Sequence, residues 1–168
     1  MTANKIDEHK QKNHTCCFTG HRPPKLHLPE NEVRSLLKKA IQQAILDGFT
    51  IFISGVALGV DLWAAEIVLD EKTKNQDIQL WCASPYKGFE LRWRESEQNS
   101  YNKIMETADY VKYVCKRYVP SCFQTRNIYM VDRSCRVIAA FNGEKGGTKN
   151  TIDYALKKDV EVINIFDK

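Results

Sequence analysis

Short apolar runs and longer amphipathic runs alternate from one end of this chain to the other, and that alternation limits the fold more than any other feature. Strand-like runs fall at 15–19, 50–54, 78–83, 110–115, 137–141 and 160–166. Helix-like stretches separate them at 29–47, 57–72, 89–107, 123–134 and 148–157. In the first of these, Val33, Leu36, Leu37, Ala40, Ile41, Ala44 and Ile45 recur at the spacing that lines up one face of a helix. Gly48 is placed to end it. The 50–54 run is almost wholly apolar, as a strand covered on both faces requires. Strands and helices alternating at this spacing predict an α/β fold: a doubly wound, mostly parallel sheet with helices on both faces and right-handed crossovers.

In such a sheet the strand ends share one edge, and ligands bind in the crevice there. Three places hand over to small, hydroxyl-bearing or glycine residues: Thr19-Gly20-His21-Arg22, Ser54-Gly55-Val56-Ala57-Leu58-Gly59-Val60-Asp61, and Gly146-Gly147-Thr148. Glycines let backbone approach a ligand closely, and the free N–H groups of a helix start favour phosphate. Three such turns in one chain point to a nucleotide-type pocket.

Each motif also has an ordinary reading. In the 54–61 segment, Ser54 and the Gly55 backbone face a ligand, Gly59 permits tight packing, and Asp61 accepts hydrogen bonds from sugar hydroxyls. Equally, a glycine makes a turn, and an acid in a first helical turn suits the helix dipole. Gly146-Gly147-Thr148 reads as a phosphate cradle, or as a surface turn with Thr148 as the cap. Neither a P-loop nor a G-x-G-x-x-G fingerprint is present. Arg126, Met130 and Arg133 share a helix face; taken alone, that face is a solvated basic one with Met130 as packing. Asn127 beside Arg126 adds an amide suited to ribose or phosphate. His21 suits acid–base work or a satisfied turn. Arg22-Pro23-Pro24 reads as an extended turn. Trp63, Trp81 and Trp93 read as packing rather than base-stacking residues, with Trp93, just past the third strand, the one best placed for the other role.

At 168 residues the chain fits one domain, expected over 15–168 after a flexible arm at 1–14 that carries no secretory signal. With 25 basic and 21 acidic residues the net charge is +4, which argues against nucleic acid as a partner and leaves open only a local basic patch. No apolar run reaches the length of a membrane span. The six cysteines form no C-x-x-C pair and fit no zinc spacing, so reduced thiols in a cytoplasmic protein are expected, with no metal and no cofactor.

Taken together, Cys16-Cys17-Phe18-Thr19-Gly20-His21-Arg22-Pro23, the 54–61 segment, Arg126-Asn127-x-x-Met130-Val131-Asp132 and Gly146-Gly147-Thr148 resemble the YpsA-like family of the SLOG superfamily. That superfamily also holds the DNA-processing protein DprA and the LOG-type phosphoribohydrolases. The resemblance runs in order from about residue 15 to the C-terminus and implies a Rossmann-like fold that binds or processes nucleotide-derived ligands. This chain has Val56 where the family usually has a second glycine. The LOG-type P-G-G-x-G-T-x-E-E motif has no counterpart to its glutamates, because Lys149-Asn150-Thr151-Ile152-Asp153 follows Thr148. Their R-x-x-x-M arginine does have a counterpart in Arg126 with Met130.

The expected function is therefore a binding or sensing domain for a nucleotide or ADP-ribose-like ligand. Gly146, Gly147 and Thr148 cradle phosphate, and Arg126 and Asn127 add charge and an amide. Thr19, Gly20, His21, Arg22, Ser54, Gly55 and Gly59 line the pocket, and Asp61 holds ribose. The alternative is an N-glycosidic hydrolase of nucleoside 5′-monophosphates, with Arg126 catalytic and Asp61 or Asp132 supplying the missing acid. The resemblance also implies a homodimer.

Overall fold

The computed structural model describes residues 11–167. Its six strands are β1 (Thr15–Gly20), β2 (Ile51–Ser54), β3 (Gln79–Ser84), β4 (Tyr110–Tyr113), β5 (Arg136–Ala140) and β6 (Glu161–Asn164). They form one parallel sheet in the order β4-β3-β2-β1-β5-β6. The helices are α1 (Pro23–Leu26), α2 (Glu30–Leu46), α3 (Val60–Lys74), α4 (Glu95–Thr107), α5 (Cys122–Asp132) and α6 (Gly147–Lys157). This is the doubly wound, Rossmann-like α/β architecture that the alternating pattern predicts.

The chain winds outward from β1 through β2 and β3 to β4, then returns to β5 on the other side of β1. The winding reverses between β1 and β5. Their register pairs Thr19 with Ala139 and Gly20 with Ala140, so both strands end level at the same edge. The loops after β1 and β5 diverge there and open a crevice.

Side chains alternate across β1 and divide the core in two. Cys16 and Phe18 pack with Val33, Leu37 and Ile41 of α2, Ala64, Ala65 and Val68 of α3, and Ile104 of α4. Cys17 packs on the other face with Met130 and Val131 of α5 and Ala155 of α6. The helices thus lie on both faces, and all six cysteines are unpaired. Among the described residues no helix is long and apolar enough to cross a membrane.

Three segments differ from expectation. The third helix starts at Glu95 rather than 89. Gly88 takes φ +90°, and Phe89 and Trp93 fold inward instead, with ring centroids 5.0 Å apart and Trp93 edge-on to Tyr101 at 5.5 Å. Trp93 is packed among aromatics, as the packing reading of the tryptophans expects. The Pro23-Pro24 turn is the start of α1, because proline's fixed φ suits the first helical position. Of the arm expected over 1–14, residues 1–10 lie outside the described residues. Lys12–His14 form a 3-10 turn leading into β1, and Thr15 Oγ1 donates to the Gln11 carbonyl at 2.7 Å.

Candidate functional site

The turn from β2 into α3 is built by short hydrogen bonds around Ser54 and Asp61. Ser54 Oγ donates to the Asp61 carbonyl at 2.7 Å and accepts the Val56 N–H at 3.1 Å. The Ala57 N–H donates to Asp61 Oδ2 at 3.3 Å. Val56 takes φ +50° and Gly59 φ +88°. The first is a strained, left-handed conformation for a β-branched residue, at the position where the resembled family usually carries glycine. Gly59 is needed for a second reason: a Cβ there would lie 2.8 Å from two atoms of the Pro23 ring.

This turn aims Asp61 at Arg126, which arrives from α5 on the opposite face. Arg126 is only 4% exposed. Its Nη1 donates to the Gly55 carbonyl, and its Nε to Asn127 Oδ1 at 2.8 Å. A Cβ on Gly55 would meet Asp61 Oδ2 at 2.8 Å and Arg126 Nη1 at 2.9 Å, so glycine alone fits between the two groups. The expectation of a solvated basic face on this helix is corrected at Arg126, which is buried, while Met130 is buried as packing, as expected. Burial raises the Asp61 carboxyl above its usual range, with the Arg126 charge opposing that rise. Burial likewise lowers the Arg126 guanidinium, with Asp61 opposing. Desolvation outweighs mutual attraction for both groups.

At the switch between β1 and β5 lies a cavity of about 190 Å³. Thr19, Gly20, His21 and Arg22 border it from the end of β1. Asp61 comes from α3, Arg126 and Asn127 from α5, and Gly146, Gly147 and Thr148 from the start of α6. The structure therefore brings together ten of the thirteen positions expected to line a ligand pocket. His21 is 5% exposed, and its Nε2 is buried with no hydrogen-bond partner. Burial lowers its pKa, so the ring is neutral near pH 7 and can give or take one hydrogen bond. A buried polar atom left unpaired costs free energy unless something fills the site.

The remaining sequence candidates stand elsewhere. Ser54 and Gly55 lie behind the cavity and shape it, Ser54 by holding the turn and Gly55 by fixing Arg126. Gly59 borders a neighbouring groove. Asp132 is exposed and accepts a hydrogen bond from the Tyr154 hydroxyl at 2.6 Å. Six residues beyond Arg126 on a helix of 3.6 per turn, it faces away from the cavity. Asp132 is thus corrected as a replacement acid, and among the described residues Asp61 is the one carboxylate bordering the site.

Lys25 and Phe123 also border the cavity without belonging to any of the motifs, and Phe18 and Ala57 border it from within two of them. Lys25 carried a signal in the Pro-Pro pair. Once that pair starts a helix, residues 22 and 25 stand three apart and share a face.

The loops at this edge carry charge that the total conceals. Residues 21–29, 85–94, 114–121 and 141–146 hold Arg22, Lys25, Lys87, Arg92, Arg94, Lys116, Arg117 and Lys145, against only Glu90 and Glu144. All eight cations are exposed, and none makes an ion pair among the described residues. The excess exceeds the +4 of the whole chain. The argument from total charge against nucleic acid as a partner is therefore corrected.

Comparison with known proteins bears on the same features. The family model described as the YspA SLOG family matches residues 16–165. A UPF0398 protein of Bacillus cereus strain B4264 is 30% identical over 154 residues, covering 87% of this chain and 84% of that relative. A UPF0398 protein of Bacillus thuringiensis strain Al Hakam is 29% identical over the same span. Among solved structures, DNA processing protein A from Streptococcus pneumoniae superposes with a TM-score of 0.64 at 16% identity, covering 94% of this chain and 51% of that one. Its Helicobacter pylori counterpart, described by its single-stranded DNA binding mode, gives 0.64 at 18% identity, with 94% and 67% covered. The chain thus spans about half of the Streptococcus protein, and at these identities the likeness shows the fold alone.

Proposed function

Since the chain belongs to the YspA SLOG family, we propose that the cavity at the β1–β5 switch binds the phosphate of a nucleotide-type ligand, ADP-ribose-like compounds included. The observation that carries this reading is the unpartnered Nε2 of buried His21, set among Arg22, Lys25, Arg126 and the N–H groups that open α6. An anion there meets three cations and one carboxylate that burial already pushes toward its neutral form. Asp61 and Thr148 add acceptor and donor capacity for ribose hydroxyls. A cytoplasmic setting, which holds free nucleotides and keeps thiols reduced, agrees with six unpaired cysteines.

The test is thermal unfolding and calorimetry with inorganic phosphate, nucleoside mono- and diphosphates and ADP-ribose. A ligand at a hundred times its Kd adds ~2.7 kcal/mol of stability, which raises Tm by roughly 5–10 °C for a chain of this size. Arg22→Ala and Lys25→Ala remove exposed cations, so both should fold normally and lose the shift. No shift with any compound would refute the reading. Free base appearing during incubation, and vanishing in Asp61→Asn, would add N-glycosidic hydrolysis through that carboxyl.

The basic edge supports a second reading, single-stranded nucleic acid, the ligand by which the Helicobacter pylori protein is described. Counterion release makes such binding steeply salt-dependent. A labelled oligonucleotide retarded at low salt and released as salt rises would favour it; no retardation at low salt would remove it.

A further inference from the structure

Resting on the phosphate-site reading above, we infer that the site is bipartite: the ligand's phosphate enters the cavity, while an uncharged, ring-bearing portion lies in the adjoining groove against Trp63, with Arg22 at the neck between them.

The first support is size. The cavity holds about 190 Å³, whereas pockets that enclose small organic ligands measure ~300–1,000 Å³. It accommodates a phosphate group and part of a sugar, and the rest of any nucleotide-sized compound must leave through its mouth. Beside that mouth is a groove of about 630 Å³ between the starts of α2, α3 and α4. Arg22 borders both spaces. The Pro23–Gly59 contact forms the floor next to it, which requires a residue without a Cβ at 59.

The second support is charge. The cavity sets Arg22, Lys25 and Arg126 against Asp61 alone. In the groove Arg22, Arg34 and Arg94 are matched by Glu30, Glu66 and Glu97. Arg34 is already committed, pairing with Glu30 at 2.8 Å and Glu66 at 2.9 Å. The groove therefore carries no excess of positive charge to hold a second phosphate, whereas an uncharged group needs none.

The third support is the groove's apolar surface. Leu58, Leu62 and Trp63 border it, and among the described residues Trp63 is its one aromatic side chain, half-buried beneath the Arg34 guanidinium 5.6 Å from the ring centre. A flat heteroaromatic ring can lie against such a surface, and the three carboxylates can accept hydrogen bonds from its exocyclic amines or from sugar hydroxyls. The fitting class is a phosphate monoester with a heteroaromatic tail, rather than a polyphosphate or a polynucleotide.

The test uses the full chain, calorimetry, and three probes: inorganic phosphate, AMP and an oligothymidylate. AMP should bind at least tenfold more tightly than phosphate. Trp63→Leu should bring AMP down to the affinity of phosphate while leaving phosphate within twofold. Leu58→Glu, at a half-buried groove position, should do the same and guards against a folding defect in the tryptophan variant. Equal affinities for AMP and phosphate, parallel losses of both in either variant, or an oligothymidylate binding more tightly than AMP would overturn the bipartite site while leaving the phosphate site standing. Absence of binding by both phosphate and AMP would overturn the underlying reading as well.

Discussion

Replacing Arg126 by methionine tests whether Asp61 and Arg126 act as one electrostatic unit. The substitution keeps a long side chain in a buried position but removes the donor to the Gly55 carbonyl and the buried cation beside Asp61. Leaving one buried carbonyl unpaired costs ~1–3 kcal/mol. Stranding the partner of a buried charge pair costs ~3–5 kcal/mol in total where the charge persists. The two groups face each other across Gly55, close enough for opposite charges to shift each other's titration, yet desolvation dominates both. The lower end, about 3 kcal/mol at pH 8, is therefore the expected loss. That corresponds to a Tm roughly 6–12 °C lower.

The dependence on pH distinguishes this account from simple loss of packing. Asp61 titrates higher in the folded protein than in the unfolded chain, so the folded state binds the proton more tightly. Stability therefore falls as pH rises from the unfolded value, ~3.9, to the folded one, and levels off above it. Without Arg126 the folded value climbs further, and the deficit of the variant widens across the added interval. Thermal melts at pH 5 and pH 8 should show the smaller deficit at pH 5. Asp61→Asn added to the methionine variant should recover much of the loss at pH 8 and little at pH 5. A deficit identical at both pH values, or an Asp61→Asn effect that merely adds to the first, would refute the coupling.

Further substitutions probe the turns around the cavity. Gly147→Ala should leave Tm within about 2 °C, because a Cβ there meets nothing within 4 Å. Should it also weaken phosphate binding in calorimetry, the ligand lies over the start of α6; unchanged affinity would place it elsewhere. Gly20→Ala should cost ~1–3 kcal/mol in denaturant melts, because its Cβ would sit 2.7–2.8 Å from three atoms of buried Val60; an unchanged midpoint would show that α3 yields. Arg136→Gln, which breaks pairs to Asp47 and Glu161 at the far edge of the sheet, should cost no more than about 1 kcal/mol and leave ligand affinity untouched.

The sheet was legible because its signal is local. The apolar runs at 50–54 and 78–83 need both faces covered whatever the rest of the chain does, and the stripe from Val33 to Ile45 needs one covered face. The site was legible for a topological reason. Once the strands are parallel, every strand-to-helix turn goes to the same edge, so Thr19, Asp61 and Thr148 converge without any knowledge of side-chain packing. What remained hidden depends on the partner surface. Whether Arg126 faces solvent or the interior is decided by a backbone carbonyl 71 residues away. Asp132 and Arg126 look alike as nearby candidates in sequence, but the helix turns one outward and the other inward. The late start of α4 was hidden because the inward fold of Phe89 and Trp93 requires Tyr86 and Tyr101 in three dimensions.

Net charge misleads for a related reason, and the way it does so carries the functional reading. A parallel sheet sorts loops by direction, so basic residues scattered through the sequence at 22, 25, 87, 92, 94, 116, 117 and 145 gather at one edge. At the opposite edge Asp47 and Glu161 are paired with Arg136, and Asp109 with Lys72. Among the described residues, these charges at one edge are held in ion pairs, while the other edge leaves eight cations without one, beside a His21 Nε2 that has no hydrogen-bond partner. Holding like charges together in one region opposes folding, and so does burying an unsatisfied ring nitrogen. An anion at the switch between β1 and β5 relieves both at once.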